Sequence, residues 1–215
     1  MNSGTICQVL VRMAIFASVV TISQYGFGQK RHTPMRSEPF IYGSGLKLAP
    51  GLAIYDSKTS KYISNPGVVS LDIFVFYRNF HFGLGLTESY TYDYFLKKDI
   101  TSPDVILTKL QEVRIGMASL KLGYAIGLGN GMSLQPTIGK IRFLIRAKDE
   151  REGGIVVNGY VFGVELTKYF LREHTSFIFV RNQLYKSNLS TVNPGLGNFV
   201  NVFSVGFGSR FGKLQ

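Results

Sequence analysis

Large apolar and small or polar residues alternate along most of this chain. The cleanest run closes it, from Asn198 to Phe211. There Phe203, Val205, Phe207 and Phe211 fall on one face, and Ser204, Gly206, Gly208 and Arg210 on the other. A period of two is the mark of a β-strand, whose side chains point to opposite faces in turn. Similar runs are predicted near Phe40 to Tyr55, Val68 to Tyr77, Phe80 to Tyr92, Val105 to Gly127, Met132 to Ala147, Gly154 to Phe170 and Thr175 to Tyr185. In the second, Val69, Leu71, Ile73, Val75 and Tyr77 share a face. In the third, Phe80, Phe82, Leu84 and Leu86 oppose His81, Gly83, Gly85 and Thr87. Two runs change phase. Val113, Ile115 and Met117 are one residue out of step with Leu120, Leu122 and Tyr124, which predicts a bulge near Ala118-Ser119, and a similar break is expected near Gly139-Lys140. In the seventh run Phe177 and Phe179 share parity with Arg181, so its facing is ambiguous.

The connections alternate in length. Polar loops fall at Asp56 to Gly67, Asp93 to Asp104, Lys148 to Gly153 and Lys186 to Gly197. Tight turns fall at Arg78-Asn79, Leu128 to Gly131 and Leu171 to His174. Short turns at one end and long loops at the other, with an even strand number, are the layout of a membrane barrel whose apolar face meets lipid. The predicted fold is therefore all-β, an eight-stranded antiparallel up-and-down transmembrane β-barrel at residues 40–215. A secreted soluble barrel with a ligand cavity, as in lipocalins, is the competing fold. It would turn the large faces into a core.

The first residues change the picture of place. Arg12, an apolar run from Met13 to Thr21, and Gly26-Phe27-Gly28 have the form of a secretory signal peptide, expected at residues 1–28, since the apolar run is too short for an anchor helix. Residues 29–39 are a basic, proline-bearing periplasmic lead-in. Cys7, the only cysteine, lies in the leader, so the mature chain has no disulfide or thiol metal site. Loss of Arg12 with the leader lowers the formal charge from +11 to +10. The basic residues are scattered, with no basic helix or nucleic-acid motif. Nucleic acid is not an expected partner; outer-membrane lipid and lipopolysaccharide are, beside the plainer reading of a solvated surface.

An eight-stranded barrel has room inside for side chains or one small ligand. A lysine or arginine facing lipid at mid-depth costs about 2–4 kcal/mol. Asp72, Glu112, Arg114, Glu165 and Arg210, each opposite apolar partners, are therefore expected to point inward as a structural charge network. A proton or ion path is the sharper alternative. Tyr55, Tyr90, Tyr92, Tyr94 and Tyr185 are expected at an outer aromatic girdle, and Tyr77, Phe80, Tyr124, Tyr169, Phe170 and Phe211 at an inner one. His174 lies two residues from Ser176, a pairing that could activate a hydroxyl for lipid A hydrolysis, although it falls at a turn on the expected periplasmic side. His81 is expected to fill space inside. No metal-ligand spacing, phosphate loop or cofactor motif is present, and no catalytic residue is assigned.

With these features the chain resembles the small outer-membrane β-barrel group of OmpX and the membrane domain of OmpA, over Phe40 to Phe211. The resemblance is most specific in Val205-Gly206-Phe207-Gly208-Ser209-Arg210-Phe211. It implies that Phe207 and Phe211 form the terminal signal read by the barrel-assembly machinery. Gly212-Lys213-Leu214-Gln215 follow the aromatic, a departure from the group's commonest form. With eight strands leaving no room for a wide pore and few catalytic candidates, the expected protein is non-enzymatic. It would be structural or would bind through its extracellular loops, with a lipid A-modifying enzyme as the alternative.

Overall fold

The structure, a computed structural model, describes residues 40–89, 96–103, 105–147, 154–170 and 175–214. The expected signal peptide and lead-in at residues 1–39, and His174, lie outside these residues. Eight strands build the wall: β1 (Phe40–Tyr55), β2 (Gly67–Tyr77), β3 (Phe80–Ser89), β4 (Val113–Tyr124), β5 (Met132–Ala147), β6 (Ile155–Phe170), β7 (Ser176–Ser187) and β8 (Phe199–Leu214). A short piece, Ile126–Gly129, extends β4 along the start of β5. Each strand pairs antiparallel with the next, and β1 pairs with β8 from Tyr42↔Lys213 to Tyr55↔Val200. The sheet closes on itself, which removes the exposed edges that invite aggregation.

Tight turns gather at one end of the barrel and long loops at the other. Asn130 and Gly131 both take positive φ, 51° and 68°, as a two-residue hairpin turn requires. At the loop end, the segment predicted to open the fourth strand is separate. Ile106–Leu107 pairs with Ile100–Thr101 in a small hairpin, and β4 begins at Val113. At the other terminus, β8 runs past Phe211, with Gly212 opposite Gly43 and Lys213 opposite Tyr42. The trailing residues thus extend the closing strand.

The expected bulges are absent. β4 and β5 pair without a shift from Val113↔Ala147 through Ala118↔Arg142 and Lys121↔Gly139 to Gly123↔Thr137. Val113, Ile115 and Met117 point inward, in phase with buried Ser119 and Lys121. The apparent change of phase has a different cause. The lining is apolar toward the loop end and polar at mid-height, so one face of one strand changes chemistry along its length.

The outward face carries the large side chains expected to meet lipid. Leu84, Leu86, Phe207 and Phe211 are 60%, 61%, 57% and 63% exposed. A soluble barrel would bury them instead. At the turn end Tyr77, Phe80, Tyr124 and Phe211 point outward, and Phe80 packs edge-on against Tyr124 at 5.1 Å. Tyr169 faces inward. The outer girdle needs correction: Tyr55 and Tyr185 are 5% and 1% exposed and belong to the interior, because their register puts them on the inward parity. Tyr90, Tyr92 and Tyr94 lie outside the described residues.

Candidate functional site

The interior is stacked in three layers. Toward the loops, Tyr55, Val113, Ile115, Phe143, Ile145, Val157, Tyr185 and Val202 form an apolar core with Ile63, Leu96, Ile100, Leu107, Leu189 and Leu196 from the loops above. Toward the turns, Ala49, Phe74, Phe76, Phe177 and Phe179 form a second core, with Tyr169 against it. Between them lies a belt of charge: Lys47, Asp72, Lys121, Glu165 and Arg181, all nearly inaccessible.

Strand register decides which of these charges meet. Lys47 stands opposite Asp72 on β1 and β2, and Glu165 stands opposite Arg181 on β6 and β7. Each neighbouring pair is oppositely charged, yet partners also join across the lumen. Lys47 Nζ donates to Glu165 Oε1 at 2.6 Å, and Arg181 Nη1 donates to Asp72 Oδ2. Lys121 Nζ on β4 donates to the other oxygen of Asp72. These contacts tie opposite walls together. Thr167 donates to Glu165 at 3.0 Å, Arg181 Nε donates to Ser204 Oγ at 3.4 Å, and Tyr185 donates to Gln183 at 2.8 Å. Gly85 leaves room for the cluster. A methyl group there would fall on the Asp72 carboxylate and reach within 2.8 Å of Lys121 Nζ.

The cations also lean on the aromatic layer. Lys47 Nζ lies 4.9 Å from the centre of the Phe74 ring and 5.6 Å from that of Phe179, and the Arg181 guanidinium lies 5.4 Å from Phe179. Such contacts favour desolvated cations by about 2 kcal/mol or more. His81 stacks between Phe74 and Phe76, at 5.5 and 5.7 Å. The space left within the belt is about 30 Å³. That suits one or two waters and no organic ligand.

Of the residues singled out from the sequence, Asp72 and Glu165 lie in the belt. Arg210 lies below it at the turn end, its guanidinium 4.1 Å from the Tyr169 ring centre and 5.8 Å from that of Phe76. Arg114 does not join them. It shares parity with outward-facing Ala118 and Leu120, because β4 has no bulge to reverse its facing. Glu112 precedes β4, half-buried at the loop end. The sequence reading missed the three cations, Lys47, Lys121 and Arg181. Lys47 between Leu46 and Leu48, and Lys121 between Leu120 and Leu122, obey the same alternation that flagged Asp72. Arg181 was hidden by the inward phenylalanines that share its parity. Ser176, of the lipid A hydrolysis pair, sits at the turn end of β7. No cluster of potential metal ligands occurs among the described residues.

A closed barrel with an apolar exterior and, among the described residues, a filled, charge-belted interior defines the class: a small transmembrane β-barrel. Solved barrels of similar layout include the N-terminal β-barrel domain of Pseudomonas aeruginosa OprF, with 14% identity and a TM-score of 0.49 over 78% of this chain and 97% of that one. Ail of Yersinia pestis shows 12% identity and a TM-score of 0.47, covering 79% of this chain and 97% of its own. OprG of Pseudomonas aeruginosa shows 11% and 0.47, covering 82% and 97%. No protein-family model and no curated protein matches the chain. At such identities the particular role rests on the chain's own chemistry.

Proposed function

We propose that this chain is a closed, non-enzymatic barrel of the outer membrane that holds a folded loop platform at the cell surface. The observation that carries this reading is the filled lumen. Ions would have to cross two apolar layers and an ion-paired belt with only about 30 Å³ of free space. Three loops meet over the outer mouth. Asp56 accepts from the backbone amides of Thr59 at 2.8 Å and Phe199 at 3.0 Å, Thr59 Oγ1 accepts from Gly197 N at 3.0 Å, and Asn193 Nδ2 donates to Thr101 O at 3.2 Å. A cap built this way is a rigid surface for a ligand or neighbouring cell-surface molecule. In this reading residues 1–28 direct export, Phe207 and Phe211 are read by the barrel-assembly machinery, and outer-leaflet lipid contacts the wall.

The test is reconstitution of the mature chain in planar bilayers. The folded protein should migrate faster unboiled than boiled, and should give no resolvable conductance steps. Stable single-channel steps from the heat-modifiable species would overturn the closed-barrel reading, and extraction from cells without detergent would overturn the membrane reading.

A further inference from the structure

The outer wall is uneven in charge. Of the three carboxylates on barrel strands, Asp72 and Glu165 point inward and Glu88 alone points outward. Five cations face outward toward the loop end: Arg114 on β4, Lys140, Arg142 and Arg146 on β5, and Lys186 on β7. Register draws them together. Lys140 and Lys186 flank Tyr160 from either side, Arg142 lies one dyad nearer the loops beside Asn158, and Arg114 pairs with Arg146 beyond it. Cations on a barrel exterior are tolerated near the interface and penalised at the midplane. Their height therefore marks the outer boundary of the apolar band.

Beside them the wall is hollow. An open groove of about 510 Å³ runs over β2 to β6, with Leu84, Leu86 and Leu120 on its apolar side and Lys140, Arg142 and Asn158 at its rim. Ala118 sits in the row between Leu86 and Arg142. A side chain at the neighbouring Gly116 would meet nothing within 4 Å. An apolar trough ending at a cluster of lysine and arginine fits a molecule with acyl chains and a multiply charged anionic head. Arginine and lysine are the usual partners of phosphate oxygens. A merely solvated wall would intersperse both signs.

We infer that the β3–β6 exterior is a binding site for a phosphorylated outer-leaflet glycolipid, with acyl chains against Leu84, Leu86 and Leu120 and phosphates on Lys140 and Arg142. The inference rests on the outer-membrane reading, and names the lipid and the wall it meets. Lys186 and the Arg114–Arg146 pair are placed to take further phosphates or core-sugar anions.

The test uses the mature chain refolded in phosphatidylcholine bilayers, titrated with rough lipopolysaccharide, with the same material after dephosphorylation, and with phosphatidylglycerol. The heat shift is run on every variant, so loss of folding and loss of binding are read separately. K140Q/R142Q should weaken lipopolysaccharide binding by about 10- to 30-fold, the size expected from two interfacial cations. Dephosphorylation should weaken wild type similarly. Ala118→Leu, which puts a larger side chain into the trough and keeps the charge, should also bind more weakly. Lys168→Gln, at the turn end of β6, should bind as wild type. Unchanged binding by folded K140Q/R142Q would overturn the site. An equal loss in Lys168→Gln would reduce it to diffuse attraction. Equal affinity for phosphatidylglycerol would overturn the assignment to a glycolipid.

Discussion

Asp72 is the residue on which the belt turns, because both of its oxygens are engaged by cations from different walls, Lys121 of β4 and Arg181 of β7. Removing one member of a buried ion pair strands its partner in a low-dielectric site, at a cost of about 3–5 kcal/mol. Asp72→Ala strands two. Urea unfolding of the refolded barrel should show Asp72→Ala destabilised by at least about 3 kcal/mol, whereas an outward substitution such as Asn158→Ser should lie within about 0.5 kcal/mol of wild type. A loss under about 1 kcal/mol would mean the belt is hydrated and loosely paired.

Strands and loops behave as separate units of this wall. Removing Phe211–Gln215 takes from β1 the partners of Tyr42, Gly43 and Ser44, and opens the seam at its turn end. The truncated chain should accumulate unassembled and show no heat-modifiable band in cell fractions. Normal insertion would show that the seam closes without them. At the opposite end, Asp56 ties the first loop to the start of β8. Partial burial alone would raise its pKa, but hydrogen bonds from the Thr59, Phe199 and Lys58 amides and the Thr59 hydroxyl outweigh it, so the value is lowered. A lowered carboxylate pKa stabilises the folded state above the unfolded pKa, and that contribution is lost as pH falls through the folded pKa. The loop contact should therefore persist through neutral pH to about pH 5 and weaken only below the ordinary carboxylate range. Limited proteolysis should find the 56–66 loop of wild type resistant at neutral pH and more cleavable in acid, and that of Asp56→Asn cleavable at both.

For the whole molecule, stability without disulfides follows from the interior. Two apolar cores sit above and below the belt, and full burial of each large side chain such as Phe143 or Ile115 contributes about 1.5–3 kcal/mol. The loop-end core has a second consequence. It joins loops far apart in sequence into one cap, with Lys97 N donating to Tyr62 O at 2.7 Å and Asn193 Nδ2 to Thr101 O at 3.2 Å. Alternation announced the number and order of strands, because a lipid-facing wall imposes one rule on every strand. It misled where the lining itself is apolar. Val113, Ile115 and Met117 looked like lipid-facing residues, and Tyr55 and Tyr185 looked like girdle, because no local pattern separates an apolar inside from an apolar outside.

The amino-acid sequence by itself determined the closing Asn198 to Phe211 alternation, its repetition in eight segments, the long and short connections and the inward parity of Asp72 and Glu165. All of these follow from the two-residue period of a strand and from local turn chemistry. Only the tertiary structure decided that Lys47 reaches Glu165 and Arg181 reaches Asp72 across the lumen, that Arg114 stands outside among Lys140, Arg142 and Arg146, and that β8 closes through Gly212 and Lys213. Those facts depend on register around a closed circle. A charge's facing can be counted along one strand, but its partner is set by the stagger of all eight.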